Sequence, residues 1–366
     1  MKGSIILLNE NNPSFNYALK TILDRKVIEY MLDTLKRAGT DNTVIVSSKP
    51  FKVDGAKVVD DLSAAVKILG LDDELLLIDD VYPFLEADSI LKMYEKENAR
   101  INDTHTIKLK MQDLVNISKI SFERVEVEKG ELETVASMAK IRELNRDLKA
   151  KINAYHLKNG VNLIDPEHTY IGLDVLIDED VTIEGGVTIA KGSHIKKGAH
   201  LTSGTYVANS VIGEDTTVLS SRITDSEIGN KVTIGPNSHI RMHSKVSDEV
   251  RIGNFVEFKN TEFGYKSRCA HLTYLGDAIV GEDVNIGWGV VTCNYDGAHK
   301  FKTIIGDHCF IGSNANLVAP VKIGNNVLIA AGSTITQDVE DRAMGIARSR
   351  QSNKPEYGYK YINKEK

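Results

Sequence analysis

The sequence lacks several features that mark specialised classes of protein. No stretch of its 366 residues contains 18 consecutive apolar side chains, so no segment has the composition of a membrane-spanning helix. It has only three cysteines, an odd number without zinc-site spacing, which disfavours a disulfide framework and a structural metal. Its net charge is −6, so it lacks the basic character typical of nucleic-acid-binding proteins.

The chain also lacks a long apolar segment near its start. The run Ile5-Ile6-Leu7-Leu8 contains four apolar residues and leads directly into polar residues 9–12. A secretory signal needs a longer apolar region, so we interpret this run as a buried strand. Because free thiols are the default in a reducing compartment, we expect a cytoplasmic protein.

Glycine is scarce in the first part of the chain and abundant in the second. Residues 1–159 contain 5 of the 28 glycines, and residues 160–366 contain 23. A shift of this size indicates a change of architecture. We predict four regions: an α/β domain over residues 1–130, a linker helix over 131–158, a repeat domain over 159–340 and a basic tail over 341–366.

The first region alternates between strand and helix patterns. Short apolar runs at Ser4–Leu8, Thr43–Ser47 and Glu74–Ile78 are typical of strands buried on both faces. Between them, Lys26–Arg37 places its apolar residues on one helical face, and Leu85–Asn98 is a weaker amphipathic helix. This alternation predicts a Rossmann-like, mostly parallel sheet.

A six-residue period dominates the second region. Apolar residues recur at every sixth position over residues 171–207, 228–258 and 305–335. This period fits a parallel β-solenoid in which each hexad forms a short strand and a corner, and three hexads complete a coil. The apolar residues are predicted to point inwards as core. The general rule for parallel crossovers favours a right-handed coil.

The hexads are interrupted over residues 259–279 and 292–303. Loops inserted into a solenoid wall are common locations for functional sites, so we interpret both interruptions as functional insertions. Both contain polar and ionisable residues that suit a site: Lys259, Lys266, Arg268, His271 and Tyr274 in the first, and Asn294, Tyr295, Asp296, His299 and Lys300 in the second.

Motifs within and around these interruptions resemble a known enzyme family. They include His271-Leu272-Thr273-Tyr274-Leu275-Gly276-Asp277, Thr292-Cys293-Asn294-Tyr295-Asp296-Gly297 and Ile329-Ala330-Ala331-Gly332. Over about residues 131–352 the chain resembles the acetyltransferase domain of the bacterial bifunctional glucosamine-1-phosphate N-acetyltransferase / N-acetylglucosamine-1-phosphate uridylyltransferase family. The resemblance implies a left-handed parallel β-helix, contrary to the crossover rule, acetyl-CoA as co-substrate, and a homotrimer with active sites between subunits.

The resemblance also implies roles for individual residues. His271 matches the general base, a role that suits an imidazole whose pKa lies near neutrality. Arg241 and Lys259 match sugar-phosphate ligands, and two cations around one phosphate are physically sensible. The remaining matches are Tyr274, Asn285 and Lys300 for the acceptor, and Trp288, Asn294, Tyr295, Ser313, Ala331 and Arg348 for acetyl-CoA. Acetyl transfer in this scheme requires no metal and no covalent intermediate, so we expect no nucleophilic role for Cys269 or Cys293.

The sequence departs from the family at its N-terminal end. The segment Leu8–Phe15 contains neither the glycines nor the arginine of the family's nucleotide loop, and Glu10 would repel phosphate. Lys20 and Asp80 match the family's lysine and metal-binding aspartate, but they do not by themselves make a site. We therefore predict a truncated, degenerate nucleotidyltransferase-like domain without uridylyltransferase activity.

A second departure is Trp288, where the family has alanine. The indole either narrows the acyl pocket or points outwards at a corner and packs on a neighbouring subunit. Met242 and His243 also replace a typical Pro-Gly pair beside Arg241, so the phosphate end differs as well.

We therefore expect an acetyl-CoA-dependent N-acetyltransferase that acts on glucosamine 1-phosphate, as one step in the synthesis of UDP-N-acetylglucosamine for cell-envelope precursors. The alternative is a paralogue, non-catalytic or of altered specificity, that binds a sugar phosphate, another acyl-CoA or a protein partner. No nucleic acid partner and no membrane insertion are expected in either case.

Overall fold

The structure is a computed structural model that describes residues 2–40, 42–69 and 74–362. The chain divides into two compact units, Met1–Lys149 and Ala150–Lys366. Among the helices described, none combines the length and the apolar character needed to cross a bilayer. The α/β architecture of the first unit and the parallel β-helix of the second confirm the predicted fold class.

The first unit is built on a seven-stranded mixed sheet. Its order is β5-β4-β1-β6-β8-β7-β9; the first four strands are parallel, and β8 runs antiparallel to both neighbours. A two-stranded hairpin, β2 and β3, stands apart. The strands are β1 (Lys2–Leu8), β2 (Thr21–Ile22), β3 (Arg25–Lys26), β4 (Asn42–Ser47), β5 (Lys57–Val59), β6 (Glu74–Ile78), β7 (Ala99–Ile101), β8 (Ile107–Lys110) and β9 (Glu123–Val125).

The predicted strands and helices of this unit are confirmed. The helices are α1 (Val27–Arg37), α2 (Leu62–Leu69) and α3 (Ala87–Tyr94), with 3-10 turns at Pro13–Asn16, Met111–Lys119 and Lys129–Leu132. Successive residues of β1 point to opposite faces of the sheet, so Ile5 and Ile6 enter two separate hydrophobic cores. Burial on both faces explains why β1, β4 and β6 have continuous apolar sequences.

Helix α4 (Met138–Lys158) connects the two units. It begins seven residues later than predicted, because the preceding segment forms the 3-10 turn Lys129–Leu132 and then an irregular stretch. Ile141, Leu144 and Ile152 are buried, as their helical spacing predicted.

The second unit is a parallel β-helix with three faces, which we call the first, second and third face in chain order within a coil. Each strand pairs in parallel with the equivalent strand of the next coil. The first face contains Asn162–Leu163, Thr182–Ile183, His200–Leu201, Thr217–Val218, Thr233–Ile234, Asn285–Ile286, Phe310–Ile311, Leu328–Ile329 and Met344–Gly345. The second contains Tyr170–Ile171, Thr188–Ile189, Tyr206–Ala208, Arg222–Thr224, His239–Arg241, Val291–Cys293, Asn316–Val318 and Thr334–Ile335. The third contains Leu176–Ile177, His194–Ile195, Val211–Ile212, Glu227–Ile228, Lys245–Val246, Glu262–Phe263, Ala278–Val280, Thr303–Ile305 and Val321–Ile323.

Two longer strands, Arg251–Lys259 and Arg268–Gly276, run across the first and second faces of consecutive coils. Each bends at a residue with positive φ, Phe255 (58°) or Leu272 (32°). The remaining elements are the 3-10 turn Pro166–His168 and the short C-terminal helix α5 (Tyr359–Ile362).

The hexad residues form the core of the β-helix, as predicted. Of the hexad residues in the three runs, only Ile177, at the start of the solenoid, is half-buried. Each fully buried aliphatic side chain contributes about 1.5–3 kcal/mol relative to exposure. The buried members are Ile171, Ile183, Ile189, Ile195, Leu201, Val207, Ile228, Ile234, Ile240, Val246, Ile252, Phe258, Ile305, Ile311, Leu317, Ile323, Ile329 and Ile335.

The first predicted insertion is wrong. Residues 259–279 continue the wall through Glu262–Phe263 and Arg268–Gly276. The hexad phase is lost because Arg251 pairs with Arg268, and Arg268 with Asn285, which makes these coils one residue shorter than three hexads. The second insertion is confirmed: residues 294–302 leave the wall between the second and third faces.

Close stacking of the coils predicts a severe effect for Gly253→Ala. A Cβ at this position would lie 1.8 Å from the carbonyl oxygen of Ala270 on the next coil, so the coils must separate. We expect a loss of about 1–3 kcal/mol in the free energy of unfolding, measured by thermal or urea denaturation. Gly358→Ala is the matched control, since no atom lies within 4 Å of its added Cβ. Equal stability of the two variants would contradict this account of stacking.

Candidate functional site

Three cations meet at the corner between the second and third faces. Arg241 is in register with Lys259 on the next coil, and neighbouring strands are about 4.8 Å apart, so the two residues lie side by side. Lys300 joins them from the loop 294–302, where it interacts electrostatically with both. We call Arg241, Lys259 and Lys300 the cation cluster.

Two members of the cluster are each paired with a carboxylate. The Nε and Nη2 atoms of Arg241 donate to Oε1 of Glu257 over 2.9 and 2.5 Å. The Nζ atom of Lys259 donates to Oδ2 of Asp277 over 3.1 Å, and these two residues are only 7% and 8% exposed. Three cations against two carboxylates leave one excess positive charge.

Asp277 is the centre of a buried polar network. Its Oδ1 accepts a hydrogen bond from Asn260 (2.6 Å), and its Oδ2 accepts one from Asn294 (2.5 Å) as well as the bond from Lys259. Burial works against its ionisation, but the three hydrogen bonds together hold the pKa of Asp277 below its usual value. Burial likewise disfavours the Lys259 ammonium, yet its bond to Asp277 keeps the pKa of Lys259 above its usual value. Both groups are therefore charged at neutral pH.

Lys300 provides the excess charge. Its side chain is exposed, and a bridge between Tyr295 and Lys300 closes the loop into a hairpin. The neighbouring ammonium of Lys259 lowers the pKa of Lys300. A bound dianion would relieve this repulsion between cations, so a phosphate group is the class of ligand that the cluster suits.

The Tyr274 side chain extends along the solenoid wall towards the cation cluster. A Cβ at Gly276 would lie 2.3 Å from the Tyr274 hydroxyl and 2.9 Å from Nδ2 of Asn294, so only glycine leaves room for this arrangement. Gly276 is the register partner of Lys259. The structure thus brings four predicted acceptor residues, Arg241, Lys259, Lys300 and Tyr274, to one corner.

A second group, four predicted residues together with Asn254, lines the corner between the first and second faces. Asn254, His271, Trp288, Ser313 and Ala331 occupy equivalent positions on five successive coils, each three residues after a register-paired residue of the first face. We call these five residues the corner column. His271 is exposed, and its Nδ1 forms a hydrogen bond of 3.1 Å with Oδ1 of Asn254.

The other members of the column are held by main-chain hydrogen bonds between coils. Asn314 N donates to the Trp288 carbonyl (2.7 Å), and Gly332 N donates to the Ser313 carbonyl (2.8 Å). Ser313 and Ala331 are exposed, and Trp288 is 48% exposed. Asn285 lies on the first face, three residues before Trp288.

Within one chain, the corner column and the cation cluster stand at opposite edges of the second face. His271 lies at one end of the second-face segment of its strand. Gly276, the register partner of Lys259, lies at the other end. Five residues of extended strand cover about 16 Å, so His271 does not share a pocket with Lys259 of its own chain.

The remaining predicted residues fall elsewhere. Asn294, expected beside acetyl-CoA, is buried against Asp277 in the polar network. Tyr295 is exposed on the loop, where its hydroxyl donates to the Gly297 carbonyl (2.5 Å). Arg348 is exposed in the basic tail, of which residues 363–366 lie outside the described ranges.

Sequence reasoning missed the two carboxylates that support the cluster. Glu257 follows Arg241 by 16 residues, and Asp277 follows Lys259 by 18. Each spacing is about one coil, so a search for opposite charges one coil apart would have found both pairs.

The buried cysteine beside the column lacks the exposure and the thiolate character of a nucleophile. Cys269 is fully buried, and burial raises its pKa to about 12, which leaves almost no thiolate at neutral pH. This supports the expectation from the sequence.

Asp80, which the resemblance matches to a metal-binding aspartate, is engaged by hydrogen bonds within the first unit. Oδ1 of Asp80 accepts hydrogen bonds from Ser14 and from the backbone N–H of Val81, and Oδ2 accepts one from Asn12 (2.6 Å). Burial is the main reason why the pKa of Asp80 lies above its usual value. Both oxygens are thus occupied by neutral donors from the substituted loop.

Comparison with known proteins confirms the resemblance. Residues 302–337 match the family of bacterial transferase hexapeptide proteins (six repeats). The Bifunctional protein GlmU of Listeria monocytogenes serotype 4b is 44% identical over 223 residues, which cover 61% of this chain and 49% of that protein. The corresponding protein of Geobacillus thermodenitrificans is 48% identical over 217 residues, or 59% and 47% of the two chains. This chain therefore spans about half the length of the curated relatives it matches.

Among solved structures, the Arabidopsis UDP-N-acetylglucosamine acyltransferase aligns with 50% of this chain and 69% of its own at 14% identity, with a TM-score of 0.30. That structural similarity is too low to bear on function. The sequence relatives and the repeat-family match show that the second unit is similar to bacterial hexapeptide transferases.

The buried pair predicts a large stability effect for Asp277→Ala. The substitution leaves the Lys259 ammonium buried without its partner, so we expect a loss of about 3 kcal/mol in the free energy of unfolding, measured by urea denaturation. Glu257→Ala breaks the more exposed pair with Arg241 and is the matched control, with an expected loss of about 1 kcal/mol or less.

The same pair predicts an acid dependence. The folded Asp277 carboxyl binds its proton less tightly than the unfolded one, so its stabilising effect is complete above the ordinary aspartate pKa. This stabilisation is lost as the pH falls through the pKa of Asp277 in the folded protein, which is lower than its pKa in the unfolded chain. On acidification through that range, the free energy of unfolding should therefore fall less for Asp277→Ala than for wild type. Parallel curves of unfolding free energy against pH would contradict the assignment.

Proposed function

We propose that this protein is an acetyl-CoA-dependent N-acetyltransferase that acts on glucosamine 1-phosphate. The observation that carries the proposal is the cation cluster, in which Lys300 adds an excess positive charge to two cations held in place by their own carboxylates. A sugar phosphate matches this charge. The similarity to the GlmU proteins supports the choice of acceptor and donor.

In the proposed reaction, the cation cluster holds the phosphate, and Tyr274 and Asn285 orient the sugar. The acceptor amine attacks the thioester carbonyl, His271 removes a proton from the amine, and CoA leaves as the thiol. Asn254 is a positioning residue, because its bond to Nδ1 leaves the Nε2 atom of His271 for the substrate. The reaction needs no metal and no covalent enzyme intermediate.

The separation of the corner column from the cation cluster gives a physical reason for an oligomer, and the family resemblance implies a homotrimer. Since His271 and Lys259 stand at opposite edges of one face, a complete site requires the column of one copy to face the cluster of another. Ser313 and Ala331 would then border the pantetheine arm, with Arg348 near the nucleotide phosphates.

Uridylyl transfer is absent from the proposed function. The segment Leu8–Phe15 has no glycine or arginine, and its Asn12 and Ser14 side chains hydrogen-bond to Asp80, the residue expected to hold a metal. The product N-acetylglucosamine 1-phosphate would then be activated by a separate enzyme on the way to UDP-N-acetylglucosamine.

His271→Ala tests the base. We expect kcat for acetyl transfer to glucosamine 1-phosphate to fall by about 10²–10⁴-fold, measured as CoA thiol release. His200→Ala is the control, because His200 lies on the first face several coils away and pairs with Glu184. Equal rates for wild type and His271→Ala would contradict the proposed role of His271 as the general base. No thiol release from wild type would favour a binding protein instead.

Incubation of the full chain with UTP, magnesium ion and N-acetylglucosamine 1-phosphate tests the lost activity. We expect no UDP-N-acetylglucosamine by chromatography, because Asp80 is engaged by neutral donors. Steady formation of this product would overturn the prediction, provided that Asp80→Ala abolishes it.

A further inference from the structure

The corner column changes from small to large side chains next to the candidate base. Ala331 and Ser313 occupy two successive coils, Trp288 the next and His271 the one after. Each coil adds one strand spacing of about 4.8 Å. A linear molecule that lies along Ala331 and Ser313 therefore meets the indole before it reaches the imidazole.

The wall of the solenoid holds the tryptophan backbone in place. The Trp288 carbonyl accepts a hydrogen bond from Asn314, and the N–H of Gly289 donates to the Leu272 carbonyl over 2.9 Å. Gly289 has φ of +72°, which turns the chain immediately after Trp288. The base of the side chain is therefore fixed by the stacked coils, while the indole extends from the corner with 48% of the residue exposed.

The position of this ring bears directly on the acyl donor. If the thioester is to be attacked within reach of His271, its carbonyl must lie at the level of Trp288, because that residue separates His271 from the small-residue part of the column. The acyl group then points into the space that the indole borders. Acetyl is the smallest such group, and each added methylene must displace the ring or move the carbonyl away from the base.

We propose that Trp288 contacts the acyl end of the donor and restricts the enzyme to short acyl groups. This inference rests on the proposed function and deepens it, since it specifies the donor class as acetyl-CoA in preference to longer acyl-CoA esters. Trp288 acts as a specificity-determining residue, with no role in proton transfer.

The test measures kcat/KM with acetyl-, propionyl- and butyryl-CoA at fixed glucosamine 1-phosphate. In wild type we expect a decrease of about tenfold for each added methylene. Trp288→Ala should raise the ratio of butyryl-CoA to acetyl-CoA efficiency by about tenfold or more, and Trp288→Phe should give an intermediate ratio. A ratio unchanged in Trp288→Ala would overturn the inference.

Binding can be followed without turnover, because Trp288 is the only tryptophan in the sequence. Selective excitation of the indole therefore reports on this one position. We expect a saturable change in emission on titration with acetyl-CoA and a different, smaller change with CoA, which lacks the acyl group. If calorimetry shows saturable binding of acetyl-CoA but the indole emission does not change, the proposed contact between Trp288 and the acyl group is wrong.

Two controls distinguish an acyl contact from a purely structural role of Trp288. Phe310→Ala removes another exposed aromatic side chain from the first face, outside the column, and should leave the acyl preference unchanged. If Trp288 only packs between copies of the chain, Trp288→Ala will change the oligomer size on gel filtration with an unchanged acyl preference, and the inference fails. If wild type transfers no acyl group to glucosamine 1-phosphate, the proposed function fails, while the fluorescence titration still decides whether the donor contacts Trp288.

Discussion

The stacking register of the β-helix coils is the constraint on which the rest of the second unit depends. Main-chain hydrogen bonds and buried aliphatic columns align each residue with its counterpart on the next coil. Residues far apart in the chain therefore become neighbours at fixed spacing. The chemical features of this unit follow from that alignment: Arg241 beside Lys259, the hydrogen bond between Asn254 and His271, and the row of Trp288, Ser313 and Ala331.

Burial fixes the position of the charged Lys259 and Asp277 side chains in the cation cluster. Lys259 and Asp277 are taken out of water together, and the amides of Asn260 and Asn294 satisfy the carboxylate further. A buried pair of this kind is costly to form and more costly to break, so its value lies in fixing the position of the ammonium. Lys300 reaches the same corner on a loop and keeps its charge exposed to a ligand.

The two units differ in how closely their residues follow the pattern that the family resemblance implies. In the first unit, the parallel strands and their apolar cores persist, but the loop after β1 now satisfies Asp80 with its own side chains. A sheet of this kind is maintained by hydrophobic burial, so its fold does not depend on a ligand site at its edge. In the second unit, the column residues and two members of the cluster, Arg241 and Lys259, lie where the register requires them.

The sequence alone determined the hexad core and the parallel strands β1, β4 and β6, because hydrophobic periodicity is a local property of the chain. The candidate residues followed from the resemblance of short motifs to a known family. It could not distinguish an insertion at residues 259–279 from a continuous wall, since a coil shortened by one residue shifts the phase without leaving the wall. Only the tertiary structure decided that Asn294 supports Asp277, that Glu257 pairs with Arg241, and that His271 lies a whole face away from Lys259. These relations depend on coil length, a property that emerges only when distant segments stack against one another.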